Sequence, residues 1–314
     1  MRRRGMPAGT AILGSTRGTP MILVVDAINK HKFHDVLEEM FRLRARVFGE
    51  RLGWEVNIVD GMERDQFDDL DPAYAIGLDD DGNVVSCVRA LQTTGPHMLS
   101  DVFADILDGE PPIRDPHMWE STRFCVDTKR LGRGNGRGSV NHATCELMIA
   151  SLESAMNAGV SDIVTVIDPV MNRVLKRSGN APYDYVGKTV PMGKVPAMAA
   201  LLDATDERVS AIRTFSGIES DVFLTDEEGR ALFDKSRTPQ TEVASDTVST
   251  LPERAANDNH GTFNALTSYC RDQLNAARTH EERAAARALV RSITETVSEK
   301  DRVRLETALR HMAD

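Results

Sequence analysis

Between positions 44 and 71 the chain reads RARVFGERLGWEVNIVDGMERDQFDDLD. A basic and aromatic cluster (Arg44, Arg46, Phe48, Trp54) runs directly into carboxylates at Glu63, Asp65, Asp68, Asp69 and Asp71. A packed helix needs aliphatic residues at helical spacing, and this stretch has cations beside aromatic rings followed by acids. That mixture suits a ligand that is cationic and aromatic at once. The same residues also describe a solvated acidic turn behind an amphipathic helix, and the stretch alone leaves both open. It is not a calcium loop, which needs alternate acids, a glycine and a distal Glu in a fixed frame. No metal site is expected.

Around this stretch the pattern is mixed. Residues 21–27 form a short apolar run and read as a first strand. From about 30 to 50, Phe33, Val36, Leu37, Met40, Phe41 and Leu43 recur at three- and four-residue spacing, which predicts an amphipathic helix with Arg44 and Phe48 on one face. Residues 74–78 and 84–91 are two strands around an Asp-Gly turn, hence a hairpin. A Pro- and Asp-rich connection holds one helical piece near 102–107. Next come a strand at 119–126, a helix at about 140–158 and a strand at 163–167. A helix with Pro169 at its start and Gly179 at its end comes after them. Strands near 185–190 and 195–202 and a helix capped by Thr205 complete the pattern. The order predicts an α+β fold: a single mixed, mostly antiparallel sheet flanked by helices.

The ends differ in character. Residues 1–20 carry positive charge without the apolar stretch of a secretory signal and read as a flexible leader, with Met21 as a candidate start. Residues 21–218 are the expected core. A short helix at 226–235 and a Ser-, Thr- and Pro-rich linker occupy 219–260. Residues 261–314 are rich in Ala, Arg, Glu and Leu and predict a helical accessory segment of two helices meeting near 297–301, dispensable for catalysis.

With 314 residues, 41% hydrophobic and a formal net charge of -10, the chain is long enough for a sizeable core and too acidic for general nucleic-acid binding. No apolar run approaches the length that spans a bilayer. Four dispersed cysteines, without a CxxC pair, suggest a reducing cytoplasm.

Two further groups of residues carry chemistry. In WESTRFCV, residues 119–126, simple alternation puts Glu120, Thr122 and Phe124 on one face and Ser121, Arg123 and Cys125 on the other. Charges in so apolar a strand are paired or used, so Glu120 and Arg123 are either a structural salt bridge or an acid/base pair. Cys125, without a nearby His, reads as a core cysteine. The second group, Arg133, Gly134, Asn135, Gly136, Arg137 and Gly138, lies between strand and helix. Backbone amides at a glycine-rich helix start cradle phosphate, and the arginines add countercharge. In spacing it resembles the loop by which GNAT-type acyltransferases hold the pyrophosphate of coenzyme A.

Taken together, Arg44, Phe48, Trp54, Glu63, Asp65, Asp68, Arg89, Glu120, Arg123 and Phe124 resemble, in order and spacing, the pattern of the acyl-homoserine-lactone synthases, the autoinducer synthase family. The resemblance covers about residues 21–217. It implies a GNAT-like three-layer α/β/α fold. It also implies two substrates: S-adenosylmethionine, consumed rather than acting as a cofactor, and an acyl thioester on acyl carrier protein or coenzyme A. On this reading Phe48 and Trp54 offer apolar and cation-π contacts, Asp65 and Asp68 orient polar groups, and Arg44 and Arg123 brace the acids or meet a carboxylate. Glu120 is the candidate base for the methionine amine. Catalytic roles are expected for Glu120, Arg123 and Asp65, and substrate contacts for Glu63, Arg89 and Phe124. Thr165 and Met171 resemble the family's acyl-pocket residues, a Thr there being associated with 3-oxo chains. Lys129, Arg130, Arg133 and Arg137 could equally dock an acidic carrier protein. A GNAT-type transferase acting on another amine would use the same glycine loop but gives no reason for the Arg44–Asp68 pattern. The reading implies no nucleic-acid partner and no membrane insertion, and the oligomeric state is left open.

Overall fold

The hairpin centred on residues 79–83 joins two inner strands of the sheet. Asp79 accepts the backbone N–H groups of Asp81 and Asn83 at 3.1 and 2.8 Å. Gly82 supplies the positive φ of 84° that the tight turn requires. The structure, a computed structural model, describes residues 21–133, 138–192, 195–237, 259–277, 279–296 and 299–309. The turn joins β4 (Ala73–Leu78) to β5 (Val84–Gln92). Around them lie β1 (Ile22–Val25), β6 (Met118–Val126), β7 (Asp162–Ile167), β8 (Asp184–Met192) and β9 (Val195–Asp203), while β2 (Ile58–Val59) and β3 (Met62–Glu63) form a separate two-stranded ribbon. The sheet order is β1-β4-β5-β6-β7-β9-β8. Every neighbouring pair is antiparallel except β6 and β7.

The helices cover both faces. Helices α3 (Val140–Asn157), α4 (Pro169–Arg177) and α5 (Asp206–Ser216) share one core with Ile22, Val88, Val126 and Ile163. Helix α1 (His34–Arg44) packs on the opposite face, where Val36, Met40 and Leu43 meet Leu23, Ile76 and Cys87. The result is the α+β, three-layer, GNAT-like arrangement expected from the sequence.

Three details depart from expectation. The first long helix is α-helical only to Arg44 and then widens into a π-helix over Ala45–Arg51, where Leu52 N–H reaches Val47 O at 3.1 Å. Helix α6 (Asp226–Arg237) belongs to the α1 layer and not to a linker, because Phe233 is buried there and Arg230 pairs with Asp35. The structured core therefore runs to Arg237; most of the expected linker lies outside the described residues. Among the described residues the C-terminal segment holds three helices rather than two: α7 (Asn259–Ala276), α8 (His280–Thr296) and α9 (Glu299–Leu309), packed around Cys270, Leu305 and Leu309. The unforeseen break comes at Thr279, which caps α8 in a reciprocal box: Glu282 N–H donates to Thr279 Oγ1 at 3.1 Å and Thr279 N–H to Glu282 Oε2 at 3.0 Å. Among the described residues no helix is long and apolar enough to cross a membrane.

Candidate active site

Arg44, the last residue of α1, lies fully buried beneath the acidic turn. It donates to both oxygens of Asp68, at 2.8 and 2.9 Å, and its Nε donates to Glu63. The acids are arranged before any arginine is counted. Asp65 caps the 3-10 turn Gln66–Asp69, taking the Phe67 N–H at 3.0 Å, while Asp68 takes the Asp65 N–H at 2.9 Å. Arg89 of β5 then spans two of them, reaching Asp65 at 2.6 and 3.0 Å and Asp68 at 2.7 Å. Arg123 of β6 closes the set through Glu63 at 3.0 Å and Asp65 at 2.7 Å. Three guanidinium groups thus meet three carboxylates, a balance that lets charges stay buried. Burial alone would raise Asp68, but the Arg44 bond and the charges of Arg89 and Arg44 outweigh it and hold its carboxyl well below the usual range.

Arg123 reaches this network because the strand is irregular. A register shift in the β5–β6 ladder leaves Arg123 and Phe124 together between the pairs Arg89–Thr122 and Cys87–Cys125. Arg123 takes a left-handed φ of 54°, rare for a long side chain. The bulge corrects the expected alternation: Glu120, Thr122, Arg123 and Cys125 share the α1 face, while Phe124 turns to the α3 core with Trp119. Cys125 is a buried core cysteine, 3.5 Å from Cys87 Sγ, and burial pushes its thiol well up.

Glu120 and Arg123 do not pair; among the described residues no ion pair joins them. The fully buried carboxylate of Glu120 instead accepts the Met98 N–H at 2.7 Å and the Leu99 N–H at 2.6 Å, at the start of the short helix α2 (Met98–Asp101). Burial pushes Glu120 up to about 7, against the opposing pull of those two amides and the charge of Arg89. A carboxyl titrating near neutrality can hold or release a proton at working pH.

The network has a closed side and an open edge. Arg44, Arg89, Glu63 and Asp68 are buried and act as scaffold. Asp65 and Arg123 keep 18% and 10% of their side-chain surface exposed. Beside them Phe48 stacks on Trp54, centroids 5.1 Å apart, and Arg123 lies 5.6 Å from the Phe48 ring centre. Trp54 is 48% exposed. The edge therefore offers an aromatic face, a guanidinium and a partly free carboxylate to one visitor.

Thr165 lies farther along, where the parallel β6–β7 pairing ends at Ser121–Thr165 although both strands continue. Its hydroxyl donates to Ser121 O at 3.0 Å. Met171, in the first turn of α4, packs against the α3 core. Of the loop residues, Gly134, Gly136 and Arg137 lie outside the described residues. Arg133 is exposed, and Gly138 leads to Ser139, whose hydroxyl caps α3 by accepting the His142 N–H at 3.2 Å.

Sequence reasoning missed four partners. Tyr74 donates its hydroxyl to Asp68 at 2.7 Å, and Thr122 accepts Arg89 Nε at 3.0 Å. Met98 sets its sulfur 3.3 Å from both Arg89 and Arg123, and Leu99 supplies an amide to Glu120. Tyr74, Arg89 and Thr122 form one row across three strands, a register the hairpin turn could have supplied. Nothing in the sequence marked the Met98 and Leu99 amides.

Residues 29–212 match the family model for autoinducer synthases. The chain belongs to the autoinducer synthase family. It is 38% identical over 183 residues to an acyl-homoserine-lactone synthase of Agrobacterium fabrum, covering 58% of this chain and 86% of that relative. It superposes on the coenzyme A-dependent acyl-homoserine lactone synthase BjaI, solved with S-adenosylmethionine and isopentyl-coenzyme A, with a TM-score of 0.59. That match is 26% identical and spans 68% of this chain and 99% of BjaI. The synthase LasI gives a TM-score of 0.54 at 30% identity, over 62% of this chain and 96% of LasI.

Proposed function

We propose that this chain makes a quorum-sensing signal, an N-acyl-L-homoserine lactone, from S-adenosylmethionine and an acyl thioester. The observation that carries the reading is the charge-balanced network ending in a half-open edge of Asp65, Arg123, Phe48 and Trp54. S-adenosylmethionine is a sulfonium bearing an adenine ring and an amino-acid end. The aromatic pair suits its cation and ring, Arg123 its carboxylate and Asp65 its ammonium. It is consumed, and no separate cofactor enters the scheme.

The ammonium first gives a proton to Glu120, through a water because both carboxylate oxygens already face amides. The amine lone pair then adds to the thioester carbonyl, and collapse breaks the C–S bond. The departing thiolate takes the proton from Glu120, and the freed Glu120 carboxylate accepts the second N–H proton through the same water, leaving a neutral amide. The methionine carboxylate next attacks its own γ-carbon and expels methylthioadenosine as a neutral thioether, closing the lactone. Positioning supplies most of the help in this second step. No acyl-enzyme is involved.

The gap beyond Ser121 and Thr165 is the proposed entrance for the thioester, and Thr165, its hydroxyl turning from Ser121 O to donate to the ligand, the contact for a 3-oxo oxygen. A cavity of about 330 Å³ near the end of β6, lined by Arg46, Arg51, Asp127, Lys129 and Arg130, suits either coenzyme A phosphates or an acidic carrier protein. We take residues 21–218 as the family core and the cytoplasm as the place of action, where both substrates occur. Incubation with S-adenosylmethionine and matched acyl-coenzyme A and acyl-carrier-protein donors tests the reading. Methylthioadenosine and acyl-homoserine lactone in equal amounts support it; an N-acylated product without methylthioadenosine overturns it.

A further inference from the structure

Among the described residues, the contacts of the C-terminal helices with the core include two loops that flank the site. On one side, Asp272 of α7 faces Asp71, which lies just past the acidic turn and is ion-paired with Lys30; burial and the Asp71 charge raise the Asp272 carboxyl. On the other, Glu282 of α8 reaches Arg114 at 2.9 Å. Both members of this pair are largely buried, with 7% and 12% of their side chains exposed. The capping box of Thr279 holds the Glu282 carboxylate by its other oxygen.

Arg114 Nη1 lies against the segment that leads into α2, with a further bond to Ile113 O at 3.3 Å. It donates to Thr93 O at 3.1 Å and to His97 Nδ1 at 2.7 Å. His97 Nδ1 also lies 3.0 Å from Gly95 O, and burial lowers the ring's pKa to about 4, so it is neutral near neutral pH. His97 is the N-cap residue of α2, and the next two amides, of Met98 and Leu99, are those that hold Glu120. A continuous set of polar contacts therefore runs from α8 through Arg114 to the candidate base. Among the described residues the one ion pair of Arg114 is with Glu282, so loss of that charge leaves a buried guanidinium without its counter-ion. Its other partners are neutral.

We propose that the C-terminal helical segment is part of the catalytic unit, with Glu282 and Arg114 as positioning residues that fix the 93–99 segment and so the carboxylate of Glu120. The inference deepens the synthase reading and rests on Glu120 as the base. It also replaces the expectation that the segment is dispensable for catalysis. The charged groups facing Glu120 are Arg89 from β5 and Asp101 from α2. Among the described residues neither contacts α8, so a changed titration of the base in an α8 variant reports on the Met98 and Leu99 amides.

The test uses the full chain with Glu282→Gln, and Arg283→Gln, exposed on the same helix, as control. Hydrogen exchange of peptides covering 93–101 is read alongside methylthioadenosine release across the neutral pH range. In Glu282→Gln the 93–101 amides exchange faster than in the control. The turnover number falls about tenfold to a hundredfold, since small misplacements of a catalytic group cost that much. KM for S-adenosylmethionine stays unchanged. The acid limb of the rate profile moves to higher pH, because loosened amides no longer pull Glu120 down, and Glu282→Asp restores part of the rate. Arg114→Gln gives the same pattern and serves where the first variant does not fold. Exchange and acid limb identical to those of Arg283→Gln overturn the proposal. Absence of methylthioadenosine from the wild-type chain would instead remove the synthase reading, while the exchange comparison still decides whether α8 holds the segment.

Discussion

Asp68 and Asp69 are neighbours in sequence with opposite surroundings, and replacing each by Asn separates scaffold from surface. Asp68 takes both Arg44 nitrogens, Arg89 Nη1, the Tyr74 hydroxyl and the Asp65 N–H. Asp69 has 76% of its side chain exposed and meets Arg64, itself half exposed, at 3.0 Å. Asp68→Asn leaves three buried guanidinium groups facing two carboxylates, and breaking a buried pair in this way costs about 3–5 kcal/mol. Asp69→Asn removes a surface pair worth about 0–1 kcal/mol. With a urea dependence of about 2 kcal/mol per molar, the first variant loses about 1.5–2.5 M in its unfolding midpoint. The second stays within about 0.5 M. The pH sign comes from the depressed carboxyl. The ionised Asp68 stabilises the fold above its unfolded pKa near 3.8, and this stability is lost as pH falls through the lower folded value. Stability of the wild type should therefore drop below about pH 4 more steeply than that of Asp68→Asn. Equal urea midpoints for the two variants would refute the assignment of Asp68 as a buried keystone.

Glu120→Gln should lower methylthioadenosine release about 10²- to 10⁴-fold, the usual cost of removing a positioned base. In the wild type kcat/KM should rise with pH through about 7, since the base must lose its proton to act; a flat profile there points to another group. Trp54→Ala removes the exposed half of the stack with Phe48 and should raise KM for S-adenosylmethionine about tenfold while sparing the turnover number. Calorimetric titration measures the same loss directly. Thr165→Val should cut the preference for a 3-oxo-acyl donor over its unsubstituted counterpart about fivefold to tenfold, the worth of one hydrogen bond, as read from competing donors in one mixture.

The elements legible in the sequence are those set by local rules. The Asp79–Asn83 turn, the Pro169 start of α4 and the Thr205 cap are local chemistry, and each element appeared where its signal lay. The acidic turn was legible as a cluster because its residues lie within seven positions of one another. Its internal order was not: Asp65 and Asp68 cap one turn while Asp69 faces solvent, a distinction set by which side of the turn faces Arg44 and Arg89. The strand 118–126 misled because alternation assumes an unbroken ladder. One extra residue at Arg123 reverses the facing of the residues before it relative to those after it. The C-terminal break was visible in principle, as Thr279 and Glu282 have the spacing of a capping box, but a strong helical composition on both sides hid it. The docking of α8 on Arg114 joins residues 168 apart in sequence, and no periodicity reports such a pairing.

The charge balance of the site bears on how the base is switched on. Glu63, Asp65 and Asp68 neutralise Arg44, Arg89 and Arg123 completely, so the network has no spare positive charge with which to keep Glu120 ionised. Burial accordingly holds its carboxyl up near 7. A substrate that brings both a sulfonium and an ammonium changes that balance, since an added positive charge nearby favours the carboxylate. On the proposed reading Glu120 then becomes a competent base when the amine to be deprotonated arrives, and an empty site keeps the group largely protonated just below neutral pH. The buried arginines contribute by being fully spent. On the same reading, an unpaired arginine there would favour ionised Glu120 and oppose the arriving cation.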